Sequence, residues 1–169
     1  MDVFDAVRTV LAVRKYQDTP VPPDIIWRIV EAGRLTASAS NRQPWHFVVV
    51  QDRDTLRKIG QAAKTGPYIA QAPLAIVVAV DKSNKFGVSD GSRAVQSMIL
   101  AAWAEGIGSN WVGYLGPDEV KPLVGIPNHM DILAILPFGF PAQPTGHGKK
   151  NRKPLNEVAS RERFGQSFE

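Results

Sequence analysis

The densest run of ligand-binding side-chain types lies between Arg34 and Val50, which reads Arg-Leu-Thr-Ala-Ser-Ala-Ser-Asn-Arg-Gln-Pro-Trp-His-Phe-Val-Val-Val. Ser38, Ser40 and Asn41 are short donors and acceptors, placed where a backbone can approach a ligand closely. Gln43 adds an amide that can pair with a ring carbonyl or with a neighbouring backbone group. Trp45 follows the rigid Pro44 as a large apolar anchor. Taken alone, the segment suits a ligand pocket and a hydrogen-bonded turn without function equally well.

Other motifs point to less. Gly87-Val88-Ser89-Asp90-Gly91 matches the G-x-S-x-G nucleophile elbow, which would make Ser89 the nucleophile of a serine hydrolase. The elbow needs a strand immediately before it. Here the expected strand ends near Asp81, with polar Lys82–Lys85 between, and Ser89 or Asp90 also makes a natural helix N-cap. Gly106-Ile107-Gly108-Ser109-Asn110-Trp111 begins like a dinucleotide fingerprint, but it lacks the third glycine and follows a helix rather than a strand. His46, His129 and His147 share no metal-ligand spacing and read as structural or solvent-facing.

The chain contains no cysteine. Thiolate nucleophiles, disulfides, iron–sulfur clusters and Cys-bound zinc are therefore excluded, and redox chemistry would require a bound cofactor. The 169 residues suffice for one domain with a sizeable core. No apolar run exceeds seven residues, the longest being Leu74–Val80 and Met98–Ala104. A spanning helix needs about 20, so no membrane segment is expected. The N-terminus does not read as a signal peptide, and a cytoplasmic location is the expectation. The net charge of +4 is matched by one local cluster, Lys149, Lys150, Arg152 and Lys153. One cluster is a poor footprint for nucleic acid and suits a small anion or a solvated tail.

The elements that must position these residues follow from periodicity and punctuation. Asp2–Leu11 reads as a short helix, and Val21-Pro22-Pro23 opens a second, with Ile25, Ile26, Ile29 and Val30 as its buried stripe. Phe47–Gln51 reads as a strand. Asp52 or Asp54 caps a helix reaching about Ala63, and Pro73 precedes the buried strand Leu74–Val80. The longest helix is expected over Ser89–Glu105, with Ala94, Val95, Met98, Ile99 and Ala102 inward and Gly106 ending it. Strand-like stretches follow at Asn110–Gly113 and Ile132–Leu136. From Pro137 the chain becomes rich in proline and glycine. The reading is an α+β domain over 1–136, with 137–169 an extended arm of the same domain.

With these pieces in order, the chain resembles the FMN-dependent nitroreductase family. That family carries P-S-x-x-N-x-Q-P-W, and here Ala37-Ser38-Ala39-Ser40-Asn41-Arg42-Gln43-Pro44-Trp45 departs from it only at Ala37. Val13-Arg14-Lys15-Tyr16-Gln17-Asp18-Thr19-Pro20-Val21 is similar to the family's V-R-K-F-x-D-x-P-V. Gly106–Gly113 and the basic Lys150-Asn151-Arg152 continue the likeness over nearly the whole chain. One departure stands out: the family's R-R-S, which holds the FMN phosphate, is replaced by Val10-Leu11-Ala12. Arg8 or the basic arm is left to take that role.

The resemblance implies a central, mostly antiparallel sheet surrounded by helices, in a homodimer whose flavins sit in grooves lined by both chains and whose C-terminal arm packs on the partner. It implies an NAD(P)H-dependent flavin oxidoreductase that passes hydride through FMN, by ping-pong kinetics, to a small organic acceptor such as a nitroaromatic or quinone. The flavin does the chemistry and no side chain is expected to be catalytic. Arg14 would tune the flavin from its N1–C2 edge. Backbone N–H groups of Trp111, Val112 and Gly113 would face N5, and Ser38, Asn41 and Gln43 would complete the pocket. Lys150 and Arg152 would meet the phosphate. The rival readings are a non-catalytic flavin-binding or storage protein and the Ser89 hydrolase; no metal is implied.

Overall fold

The computed structural model describes residues 1–113, 119–145 and 150–168. Lys149 and His147 fall outside the described residues. Helix α1 is Val3–Thr9, opened by Asp2, whose carboxylate accepts the Asp5 N–H at 2.7 Å. It ends two residues before the expected limit. Val10 turns to φ −54, ψ 130, and the extended chain beyond it lets Ala12 bridge Ser109. Helix α2 is Pro23–Arg34, begun by proline at its first position as expected.

Strand β1 is Trp45–Val50, starting two residues earlier than the apolar run alone suggests. Asp52 caps α3, Arg53–Ala62, by accepting the Thr55 N–H at 2.8 Å. A 3-10 turn at Pro67–Gln71 leads to β2, Leu74–Asp81. The long helix α4 is Gly87–Ala104, followed by Gly106 at φ +77, a left-handed backbone that suits glycine. Strand β3 is Gly108–Ser109, α5 is Val120–Val124 and β4 is Met130–Gly139.

The described strands form one antiparallel sheet in the order β1-β2-β4-β3. Strand β2 is central and buried over Leu74–Val80 because both sheet faces are covered. Leu74, Ile76 and Val78 face the cluster containing Ile29, Val95, Met98 and Ala102 of α2 and α4. Ala75, Val77 and Ala79 face Leu56 and Ile59 of α3, Ile69 and Val120 of α5. This period-two division explains why an unbroken apolar run forms a strand here. Of the expected α2 stripe, Ile29 is fully buried while Ile25, Ile26 and Val30 pack half-buried around it.

The end of the expected strand Ile132–Leu136 is corrected by β4, which runs to Gly139. The strand continues through Pro137, which pairs with Ala75, and through Phe138, which is wholly buried. The following residues still belong to the body: Gln17 N–H donates to Phe140 O at 2.8 Å and Ala142 N–H to Lys15 O at 3.0 Å. Buried pairing with β2 overrides the local signal of proline. No helix among the described residues is long and apolar enough to cross a membrane.

Candidate functional site

The Ser38–Gln43 loop joins α2 to β1 and is fastened by its own side chains. Ser38 Oγ accepts the Gln43 N–H at 2.9 Å. Gln43 Nε2 donates to the Asn41 carbonyl and to Asn41 Oδ1, both at 3.2 Å. Ser40, Asn41 and Gln43 hold φ of +52, +52 and +48. This left-handed region is tolerated by Asn and disfavoured for Ser and Gln. Such a backbone persists only where its surroundings hold it, and it clusters at ligand-binding turns. Ser38 is half-buried while Asn41 and Gln43 are exposed.

A second group forms around Arg14. Val13 N–H donates to Ser109 O at 2.8 Å, placing the next residue beside β3. Gly108 permits this approach, since a Cβ there would lie 2.5 Å from Val13 Cγ2. Tyr16 closes the bend by donating its hydroxyl to Val13 O at 2.6 Å. Burial first, then the neighbouring Tyr68, push the Tyr16 phenol above its usual range. The Arg14 guanidinium carbon lies 6.0 Å from the Tyr68 ring centroid. Asn110, itself buried, donates from Nδ2 to the Tyr68 hydroxyl and to Trp111 O. Thr65 Oγ1 donates to Gly113 O at 3.3 Å. Arg14 and Trp111–Gly113 are thus brought together through Tyr68 and Asn110.

The expectation of a row of three ligand-facing amides is corrected at Val112. Its N–H donates to Ile135 O at 3.0 Å, its carbonyl accepts the Ile135 N–H at 3.1 Å, and only 2% of it is exposed. Val112 anchors the segment to β4, which leaves Trp111 and Gly113, both exposed, as the positions open to a ligand.

The two groups do not meet within one chain. The Ser38–Gln43 loop feeds β1, while Arg14 lies beside β3, and these strands are opposite edges of the sheet. At a strand spacing of about 4.8 Å the edges stand roughly 14 Å apart.

The basic residues lie at the end of α1. Lys150 Nζ donates to Val7 O at 2.7 Å, next to Arg8, which pairs with Asp5 at 2.9 Å. Desolvation, and after it the charge of Arg152, lower the Lys150 ammonium from its ordinary value. Arg152 is exposed and donates to Asn151 O at 3.2 Å. Val10 and Leu11 pack half-buried against Ala6, Val13 and Trp103. Val10, where the resemblance would place the phosphate-binding arginine, serves an apolar cluster instead.

The G-x-S-x-G match forms the first turn of α4, with Ser89 Oγ donating to Phe86 O at 3.0 Å. It is a helix start and not a strand-to-helix elbow. Phe86, not Ser89 or Asp90, occupies the N-cap, with no side-chain cap bond. His46 and His129 line one cleft of about 420 Å³ together with Arg42, Gln43, Trp45 and Asp81. The Ser83 hydroxyl and N–H, with a contribution from His129, hold the Asp81 carboxyl below its usual range. No group of three or more His, Cys, Asp or Glu among the described residues could hold a metal.

Sequence reasoning missed Tyr68, Asn110 and Asp90. Tyr68 sits in a short turn with no local signal. Asp90 had one: it precedes Ala94 by four residues and Met98 by eight, so it lies on the inward face of α4, where a carboxylate is unexpected. It is wholly buried and accepts the Ala39 N–H at 3.0 Å.

The family described as Nitroreductase family matches residues 8–85 and 64–140. A Methanothermobacter thermautotrophicus protein, named as a candidate NADH dehydrogenase/NAD(P)H nitroreductase, is 37% identical over 154 residues, covering 86% of this chain and 81% of that protein. A Bacillus subtilis protein named FMN reductase (NAD(P)H) is 27% identical over 177 residues, covering 90% of this chain and 70% of that one. A solved Parabacteroides distasonis structure, also named as a candidate NADH dehydrogenase/NAD(P)H nitroreductase, has a TM-score of 0.86 at 28% identity. It covers 96% of this chain and 98% of that one. With the family match spanning most of the sheet and both candidate groups, this chain belongs to the nitroreductase family.

Proposed function

We propose that this chain is an NAD(P)H-dependent FMN oxidoreductase that delivers hydride to a small organic acceptor of the nitroaromatic or quinone kind. It works as a homodimer, with each flavin site built from two chains. The observation that carries the reading is the division of the site. Arg14 and Trp111–Gly113 stand at one sheet edge and the Ser38–Gln43 loop at the other, so a second copy supplies the missing half. The C-terminal arm supports this, because Leu155, Val158 and Phe164 are exposed apolar side chains suited to a partner's surface.

The donor set fits FMN. Arg14, steadied on Tyr68, is a fixed cation for the ring edge where negative charge gathers on reduction. The amides of Trp111 and Gly113 would be the ones offered to the flavin, with Val112 holding them in register through Ile135. The Ser38–Gln43 loop of the partner subunit would hold the ring, with Ser38, Asn41 and Gln43 as its polar groups. Lys150 and Arg152, beside Arg8, meet the phosphate. FMN bound there supplies the hydride relay between NAD(P)H and the acceptor. That chemistry would ask the site for positioning and exclusion of water more than for a general base. Use of NAD(P)H supports a cytoplasmic location.

The test is an anaerobic titration of FMN-loaded protein with NADH and with NADPH, followed by rapid mixing with a quinone and a nitroaromatic. Bleaching of the flavin, its reoxidation by acceptor and parallel double-reciprocal plots are expected. Tight FMN binding without bleaching by either nucleotide would instead establish a flavin carrier.

A further inference from the structure

Helix α4 grips the approach to the flavin loop with three side chains on one face. Asp90 Oδ2 accepts the Ala39 N–H at 3.0 Å, and Arg93 donates to Ala37 O at 3.5 Å. Thr36 Oγ1 donates to Ser97 Oγ at 2.8 Å. Spacings of three and four residues align Asp90, Arg93 and Ser97 along one side of the helix. Asp90 has no exposed surface, and its Oδ1 is buried without a hydrogen bond, with Arg93 at 3.5 Å as its ion-pair neighbour.

Burying a carboxylate and leaving one oxygen unsatisfied is costly. The return on that cost falls on one short stretch of backbone. Ser40 and Asn41 follow Ala39 directly and Gln43 comes after the right-handed Arg42; all three are left-handed without being glycine. Such a backbone relaxes unless its ends are held. The resembled motif has proline where this chain has Ala37, and proline would restrict its own φ. Here the Ala37 carbonyl is held from α4 instead.

We propose that Asp90, steadied by Arg93, is the positioning residue of the flavin loop. By fixing the Ala39 N–H it sets where Ser38, Asn41 and Gln43 present their polar groups to FMN. The inference rests on the flavin reading above. It requires no contact between Asp90 and the cofactor.

The test compares Asp90→Ala, Asp90→Asn, Arg93→Met and a core control on the opposite sheet face from α4, Leu56→Ala in α3. Amide exchange over residues 37–43 is measured without flavin, and FMN affinity by fluorescence titration. Asp90→Ala should speed exchange in that segment, weaken FMN binding about tenfold, as loss of a charged hydrogen bond does, and alter the visible circular dichroism of bound FMN. Asp90→Asn keeps an oxygen for the Ala39 N–H and should restore affinity and spectrum. Leu56→Ala should lower Tm while leaving both unchanged. The proposal is overturned if Asp90→Ala binds FMN like the wild type, or if Leu56→Ala weakens binding as much. Should Asp90→Ala not fold, Arg93→Met decides, because Arg93 is mostly exposed. Faster exchange at 37–43 with unchanged Tm supports the grip, and unchanged exchange rejects it. Wild-type protein that fails to bind FMN would refute the flavin reading, while the exchange data would still report on the grip itself.

Discussion

The Arg14 guanidinium rests 6.0 Å from the centre of the Tyr68 ring, while the Tyr68 hydroxyl is held by Asn110. A cation over an aromatic face gains about 0.5–1 kcal/mol at an exposed site, enough to favour one orientation of a long, exposed side chain. Arg14→Ala should therefore lower the midpoint potential of bound flavin by about 30 mV or more, a tenfold change for a two-electron couple. FMN and riboflavin should be affected alike. Tyr68→Leu should shift it in the same direction by less. Spectroelectrochemical titration of the loaded proteins checks both.

The basic residues should act on the other end of the cofactor. A Lys150→Ala, Arg152→Ala double change should weaken FMN binding roughly tenfold or more, since charge-assisted bonds contribute about 1.5–3 kcal/mol each. Riboflavin binding should barely change. Because Lys150 also bonds Val7 O, Lys150→Ala alone should speed amide exchange at the end of α1. Equal losses for FMN and riboflavin would show that the arm acts through structure, and Arg8 would become the phosphate candidate.

Gly108→Ala tests the seat of Arg14. The added Cβ would meet Val13 Cγ2 at 2.5 Å, and such overpacking costs about 1–3 kcal/mol. Chemical denaturation should show that loss. FMN affinity should fall with it because Arg14 follows Val13 directly.

The proposed two-chain site has a complementation test. Arg14→Ala and Asn41→Ala are each expected to impair the protein. When co-expressed, about half the dimers are mixed and each mixed dimer holds one intact site of two, so roughly a quarter of wild-type activity should return. If each site lies within one chain, none returns. Light scattering of the wild type should report a dimer, since an obligate interface buries about 2,000 Å² or more.

Acid stability carries a signature at Asp131. The Lys121 ammonium, bonded at 3.0 Å, and then Lys82 hold this carboxyl below its ordinary 3.8. A carboxyl lowered in the folded state contributes stability above its unfolded value and loses it as pH falls through the folded one. Asp131→Asn should therefore lower Tm at neutral pH, with the difference from wild type closing as the solution is acidified below about pH 4. A difference that persists at lower pH would assign the effect to packing.

The sequence by itself determined most element types and the family, although the strand expected at Asn110–Gly113 forms at Gly108–Ser109, with Val112 making only an isolated bridge to Ile135. Pro23, Asp52, Pro73 and Gly106 mark boundaries through backbone geometry and capping that act over a few residues. The apolar run at Leu74–Val80, short and bounded by Pro73, reads as a buried strand, and Ala37–Trp45 retained a recognisable order of polar groups. Only the tertiary structure decided what those groups meet. The extension of β4 through Pro137 and Phe138 follows from pairing with β2, more than 60 positions earlier. The engagement of Val112 by Ile135, the Tyr68 seat of Arg14 and the grip of Asp90 on Ala39 join positions 23, 54 and 51 residues apart. Spacing along the chain carries local conformation, but burial and pairing depend on which distant segments share a face. The resemblance already implied a groove lined by both chains, but the sheet edge that carries each half was legible only in three dimensions.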